Sequence, residues 1–158
     1  MKQKVVVFSQ IDATVLDQLE RDYHVVVLNP KQGDINEQIR TEVVDADAMI
    51  GAGRLLNETN LAPAQQLKII STVSVGYDNY DVDYLTKNNI WLANTPHVLT
   101  ETTADLAFTL LVSAARKVPE LDQWTKQGEW KRTVGPAQFG QDIFGKTLGI
   151  IGLGNIGA

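Results

Sequence analysis

Two runs of consecutive β-branched residues, Val5-Val6-Val7-Phe8 and Val25-Val26-Val27-Leu28, constrain the fold of this 158-residue chain more than any other feature. A strand with one face in water alternates apolar and polar residues. A run that is apolar at every position is buried on both faces, which points to a parallel sheet sandwiched between helices. The intervening segments have helical spacing. Within Ile11 to Arg21, Val15, Leu16 and Leu19 share one helical face, and within Ile35 to Val44, Ile39 and Val43 follow Ile35 at i+4 and i+8. Asn29-Pro30 stops the second run. Asp47 to Gly51, Leu67 to Val73 and Ile90 to Ala93 read as further strands, Asn60 to Gln66 as a weak helix and Asp81 to Asn88 as another. The alternation predicts an α/β fold with a doubly wound parallel sheet over residues 1–97.

Beyond residue 97 the pattern changes. Leu99 to Val118 reads as a long helix in which Leu106, Leu110 and Ala114 form one stripe, widened by Phe108, Leu111, Val112 and Ala115. A helix this apolar on most sides is expected to be buried between larger bodies. Pro119 stops it and suits the first turn of a new helix over Glu120 to Gln127, where Asp122 and Lys126 stand at i, i+4 and Gly128 fits the C-terminal cap. Trp130 to Gly145, with scattered Gly and Pro, reads as a loop, and Thr147 to Ile151 as a strand running into Gly152-Leu153-Gly154-Asn155-Ile156-Gly157. Residues 98–158 are therefore expected to be crossover helices and the first strand of a second α/β domain.

Composition narrows the function. Hydrophobic residues make up 44% and charged residues 21%, and the net charge is −5, which argues against a nucleic-acid or anionic-membrane surface. No cysteine is present, so disulfides, thiolate chemistry and cysteine metal sites are excluded. The N-terminal MKQKVVVFSQ has too short an apolar run for a signal peptide, and no apolar stretch is long enough to span a bilayer; a cytoplasmic location is expected. No metal-ligand spacing and no GxSxG nucleophile motif occurs.

Three stretches carry candidate chemistry. In G-L-G-N-I-G, Gly152 would allow a tight turn, Gly154 the close approach of a phosphate and Gly157 close packing of helix on strand, the pattern of a dinucleotide-binding turn. The sequence given stops at Ala158, before a first helical turn is expected to close and before any acidic residue that would read a ribose hydroxyl. In Ser74 to Asn79, S-V-G-Y-D-N, Gly76 leaves the Val75 and Gly76 N–H groups accessible to a carboxylate at the C-terminal end of a strand; the plainer reading is a strand-to-helix turn capped by Asp78 or Asn79. In Asn94 to Asp105, Asn94-Thr95-Pro96 reverses the chain, Thr100 fits an N-cap and Glu101 the first turn. His24 reads as structural. His97 and Arg54 lie near the expected cleft, with a solvated or structural role the plainer reading for both.

Taken together, STVSVGYDNYDVD, IWLANTPHVLTETTADLAFTLLVSAARKV, GEW and KTLGIIGLGNIG, in this order and spacing, resemble the D-isomer-specific 2-hydroxyacid dehydrogenases, in particular their glyoxylate/hydroxypyruvate and 2-ketogluconate reductase branch. The resemblance implies a flavodoxin-like substrate domain over 1–97, completed by a helix returning from the C-terminus, and an NAD(P)-binding Rossmann domain beginning at 98. It implies that the Val75 and Gly76 amides hold the substrate carboxylate, that Thr103 lines the cofactor side of the cleft, and that Gly152, Gly154, Asn155, Ile156 and Gly157 form the pyrophosphate loop. The family's catalytic Arg, Glu and His follow the glycine loop and have no counterpart in these 158 residues. The implied cofactor is NAD or NADP in the intact protein, with none expected on this chain alone. The implied substrate is a small 2-keto acid, and the implied assembly a homodimer or self-association through residues 99–127. A non-catalytic NAD-sensing or protein-binding module, like the co-repressors of the same family, is the alternative. A signalling receiver is disfavoured, because Ser9 and Asp12 are a poor substitute for its acidic cluster.

Overall fold

The computed structural model describes residues 2–158, which fall into two compact units meeting in the chain between Val98 and Leu99. The first contains β1 (Lys4–Val7), α1 (Ala13–Asp22), β2 (His24–Val27), α2 (Ile35–Glu42), β3 (Ala48–Gly51), α3 (Glu58–Leu61), β4 (Ile69–Thr72), α4 (Val82–Lys87) and β5 (Trp91–Ala93). The strands form one sheet in the order β2-β1-β3-β4-β5, every pair parallel. This is the flavodoxin-like order. The direction of winding reverses between β1 and β3, and loops at the C-terminal ends of the strands around such a reversal form a ligand crevice.

In this unit a side chain caps the start of each α-helix. Asp12 accepts the Thr14 N–H, and Asp34 accepts those of Asn36 and Glu37, so both helices open on a carboxylate that satisfies free amides. Asn57 and Asn60 form a reciprocal capping box on α3. The cap of α4 is Asp81, which accepts the Tyr84 N–H, rather than Asp78 or Asn79. Tyr80 pairs with Leu56 in an isolated parallel bridge, and that fixes the chain before the helix can begin.

Alternate strand residues point to opposite faces. Val6, Met49 and Ile70 join Ile35, Ile39, Val43, Leu61 and Leu85 in one buried cluster, so α2, α3 and α4 cover that face. The other face carries Val5, Ala48, Ile50, Ile69 and Ser71, with α1 laid over part of it and an open groove of about 360 Å³ beside Leu19 and Tyr23. At the β4–β5 end this face is bare: Trp91 is 77% exposed.

The second unit holds α5 (Thr100–Ala115) and α6 (Val118–Lys126). The N-cap of α5 is Leu99, not Thr100, which is already helical; no side chain caps this end, and Glu101 occupies the first turn. Lys117, at φ 54°, breaks the helix one residue before α6, and Pro119 sits in the first turn of α6. At the far end the Gly128 N–H reaches the Thr125 carbonyl and the Glu129 N–H that of Trp124, a Schellman closure with Gly128 at φ 75°. Two expectations fail here. The α5 side chains are not buried: Leu106, Phe108 and Leu110 are 57–61% exposed. Thr147 to Ile151 is not a strand. A strand exists only through a ladder, and among the described residues this segment has no neighbour to pair with.

Candidate functional site

The C-terminal edge of the sheet gathers the loops that follow β1, β3, β4 and β5. After β4 the chain runs outward through Val73 to Asn79, with Val75, Gly76 and Tyr77 exposed. Its neighbours fix its shape. The Val73 N–H donates to the Gly51 carbonyl at 3.0 Å, the Thr95 N–H to the Ser74 carbonyl at 3.0 Å, and Asn94 Nδ2 to the Val75 carbonyl at 2.9 Å. With that carbonyl held, the Val75 and Gly76 N–H groups are left with no acceptor among the described residues. Two adjacent free amides at the end of a parallel strand suit an anion. The nearest atom to a Cβ built on Gly76 is Asp78 Oδ2, at 3.5 Å, so the loop itself has room for a side chain there.

Asn94 is the candidate-site residue that sequence reasoning undervalued. It read as part of a chain reversal, whereas its amide orients the candidate cradle. The available signal was its position: a polar amide directly after a strand, at a C-terminal sheet edge. Ser9 has a related task one strand further on. Its Oγ accepts the Ala52 N–H at 2.8 Å and so anchors the loop after β3. Arg54 lies on that loop, half-buried. His24 begins β2 opposite Lys4 and is exposed, while His97 is exposed at φ 65° in the turn after β5.

The second unit contains the glycine loop. Gly152 is at φ 90°, a region that a residue with a Cβ enters only under strain. A Cβ on Gly157 would stand 2.3 Å from the Gly152 carbonyl oxygen, so the loop closes on itself only because Gly157 has none. Gly154 has open space where a Cβ would be. The Ala158 N–H reaches the Gly154 carbonyl at 3.0 Å, so one helical turn does close, contrary to the expectation that the sequence stops too early for it. A cavity of about 530 Å³ lies between this loop and α5, with Ala104, Ala107 and Phe108 on the helix side and Gly152 and Gly157 on the other. Thr103 is exposed on α5 and does not line that cavity. Among the described residues no three His, Asp or Glu side chains come together as a metal site, and no helix is long and apolar enough to cross a membrane.

Comparison with known proteins agrees with this architecture. Residues 5–149 match the family described as D-isomer specific 2-hydroxyacid dehydrogenase, catalytic domain. The chain is 39% identical over 157 residues to glyoxylate/hydroxypyruvate reductase B of Serratia proteamaculans, covering 99% of this chain and 48% of that protein. It therefore spans about half the length of the curated relatives it matches. Among solved structures, a Thermus thermophilus protein superposes with a TM-score of 0.86 at 33% identity, over 98% of this chain and 50% of the other. The NADPH-dependent glyoxylate/hydroxypyruvate reductase of Sinorhizobium meliloti, solved with NADP and malonate, gives 0.77 at 29% identity, over 99% and 48%. The chain belongs to the D-isomer specific 2-hydroxyacid dehydrogenase family.

Proposed function

We propose that residues 1–97 form the substrate domain, and residues 98–158 the beginning of the NAD(P)-binding domain, of a cytoplasmic oxidoreductase acting on a small 2-keto or 2-hydroxy acid. Glyoxylate, hydroxypyruvate and 2-ketogluconate are the substrates in view. The pair of unpaired N–H groups on Val75 and Gly76, presented at the sheet's C-terminal edge by Asn94, carries the reading. These amides hold the substrate carboxylate and fix the direction in which its keto carbon faces the cofactor. A hydrogen bond to a charged group contributes roughly 1.5–3 kcal/mol.

Gly152, Gly154, Asn155, Ile156 and Gly157 are the residues of this chain that would hold the cofactor pyrophosphate; the open space at Gly154 and the close approach at Gly157 support that assignment. NAD or NADP, when bound, supplies the hydride that reduces the keto carbon. Thr103 is assigned to the cofactor side of the cleft by family resemblance alone. The groups that orient the keto acid and deliver the proton belong, by the same resemblance, to sequence after the glycine loop.

The 158-residue chain alone is accordingly expected to show no turnover, and to bind NADH or NADPH no better than millimolar. A single helical turn offers few aligned amides and little dipole. Oxidation of NADH and NADPH is to be followed with the three substrates, and cofactor binding by calorimetry. Turnover by the chain alone that a substitution within it abolishes, or micromolar cofactor binding, overturns this division of labour.

A further inference from the structure

The two free amides belong to two consecutive peptides, and each peptide is held from behind. The Ser74 carbonyl accepts the Thr95 N–H, and the Val75 carbonyl accepts Asn94 Nδ2. No cis peptide occurs among the described residues, and a planar trans peptide points its N–H away from its own carbonyl. The Val75 and Gly76 N–H groups are therefore aimed away from Asn94 and Thr95, by bonds that neither amide has to give up. Nothing in this arrangement is cationic. Asp78 is the one charged residue of Val73 to Asn79, and it is negative.

The place of Asp78 is well defined. It is the second residue of a turn closed by the Tyr80 N–H on the Tyr77 carbonyl at 3.0 Å. Tyr80 is buried and bridged to Leu56, so the turn is anchored. Asp78 Oδ2 lies 3.5 Å from the position of a Cβ on Gly76. Such a Cβ stands about 2.5 Å from the nitrogen of its own residue, so the carboxylate oxygen is within about 6 Å of the Gly76 nitrogen. A ligand oxygen accepting that N–H at about 2.9 Å is then no more than about 9 Å from Asp78. No described cation, Arg54 included, pairs with the Asp78 carboxylate. At such separations in water each negative charge on the ligand loses about two- to threefold in affinity.

We propose that Asp78 determines specificity by charge. It admits a ligand whose only charge is the carboxylate on the Val75 and Gly76 amides, and it opposes any second anionic group. The preferred ligands are then monocarboxylate 2-keto and 2-hydroxy acids, with dicarboxylates and phosphorylated acids disfavoured. The proposal rests on the carboxylate-cradle reading above.

The test is a titration of the 158-residue chain at low salt, followed by amide chemical shifts in NMR. The probes are glycerate and tartronate, which differ chiefly in that tartronate has a second carboxylate where glycerate has a hydroxymethyl group. Both are expected to move the Val75 and Gly76 resonances. Glycerate is expected to bind about two- to threefold more tightly, once the two equivalent carboxylates of tartronate are allowed for. Asp78→Asn closes that gap by tightening tartronate more than glycerate. Added salt narrows the gap in the unaltered chain. Asp22→Asn changes the net charge equally where α1 returns to the edge at which the strands begin, and it leaves the gap in place. Unmoved resonances of β1 and β3 verify that each variant is folded; if Asp78→Asn is not, the salt series decides. Tartronate binding as tightly as glycerate, a gap that survives Asp78→Asn, or one that salt does not narrow overturns the role of Asp78 and leaves the cradle standing. If neither probe moves Val75 or Gly76, the cradle falls, and the proposal with it.

Discussion

At the scale of single residues, Tyr80 is the side chain least at ease in its surroundings. It is buried, and its hydroxyl has no hydrogen-bond partner among the described residues. Burial pushes the phenol above its ordinary pKa, and the Thr72 hydroxyl, close by but outside hydrogen-bonding geometry, offsets only part of that. A buried hydroxyl left unbonded costs roughly 1–3 kcal/mol. Phenylalanine keeps the ring and removes that cost. Tyr80→Phe is therefore expected to raise stability, by about 1 kcal/mol, as a shift of the urea midpoint at unchanged slope. Because Tyr80 also closes the loop that carries Val75 and Gly76, the variant separates packing from function: carboxylate-induced shifts at Gly76 should persist. A destabilised Tyr80→Phe variant would mean that the hydroxyl has found a partner in solution.

At the scale of elements, Asp47 binds three strands together where they begin. Its Oδ2 accepts the Lys4 N–H at 3.0 Å, its Oδ1 meets Lys68 Nζ at 2.9 Å, and its carbonyl accepts the Lys68 N–H at 2.9 Å. The Lys68 ammonium, followed by the Lys4 amide, holds the Asp47 carboxyl below its ordinary pKa of 3.8. Asp12, through Thr14, and Asp45, through Lys4, are lowered as well. The sign follows from proton counting. Below about pH 4 the unfolded chain takes up protons that the folded chain still excludes. The stabilisation is thus present above the unfolded value and is lost as pH falls through the folded one. Urea midpoints measured from pH 7 down to pH 3 should fall most steeply at the acid end, and Asp47→Asn should flatten part of that fall. An unchanged profile in Asp47→Asn would show that these contacts do not persist in solution.

The elements also show where sequence reasoning reached and where it stopped. The five strands were legible because each is a short apolar run bounded by turn residues, and most helices from the spacing of their apolar residues, whereas the caps read from the sequence, Asp78 or Asn79 and Thr100, lie instead at Asp81 and Leu99. Thr147 to Ile151 has the same composition as the true strands, yet strandness is a property of a pair, and no local pattern reports a missing partner. At the candidate site, Gly76 was legible from the turn it makes. The hold of Asn94 on the Val75 carbonyl spans 19 residues and depends on β4 and β5 being neighbours. The lacing of Leu56 to Asn79 and Asp81 is equally non-local.

At the scale of the whole molecule, each unit leaves apolar surface that its own residues do not cover. In the first unit this is the Ile69 and Trp91 end of the sheet. In the second it is α5. Leu106 and Leu110 share one side of that helix and Phe108 lies on the opposite side, each more than half exposed, so no single rotation of the helix would bury all three. Exposed apolar area on this scale drives association in water. The 158-residue chain is therefore expected to self-associate through residues 99–127, with a sedimentation coefficient that rises with concentration. Leu106→Lys with Leu110→Lys, one helical turn apart, should return it to a monomer while leaving the sheet of the first unit intact by circular dichroism. Trp91→Lys tests the other surface, and on this account it leaves α5-mediated association in place. If Trp91→Lys yields the monomer and the double α5 variant does not, the bare sheet face is the interface instead. A chain that stays monomeric at high concentration would mean that neither surface is exposed enough to drive association.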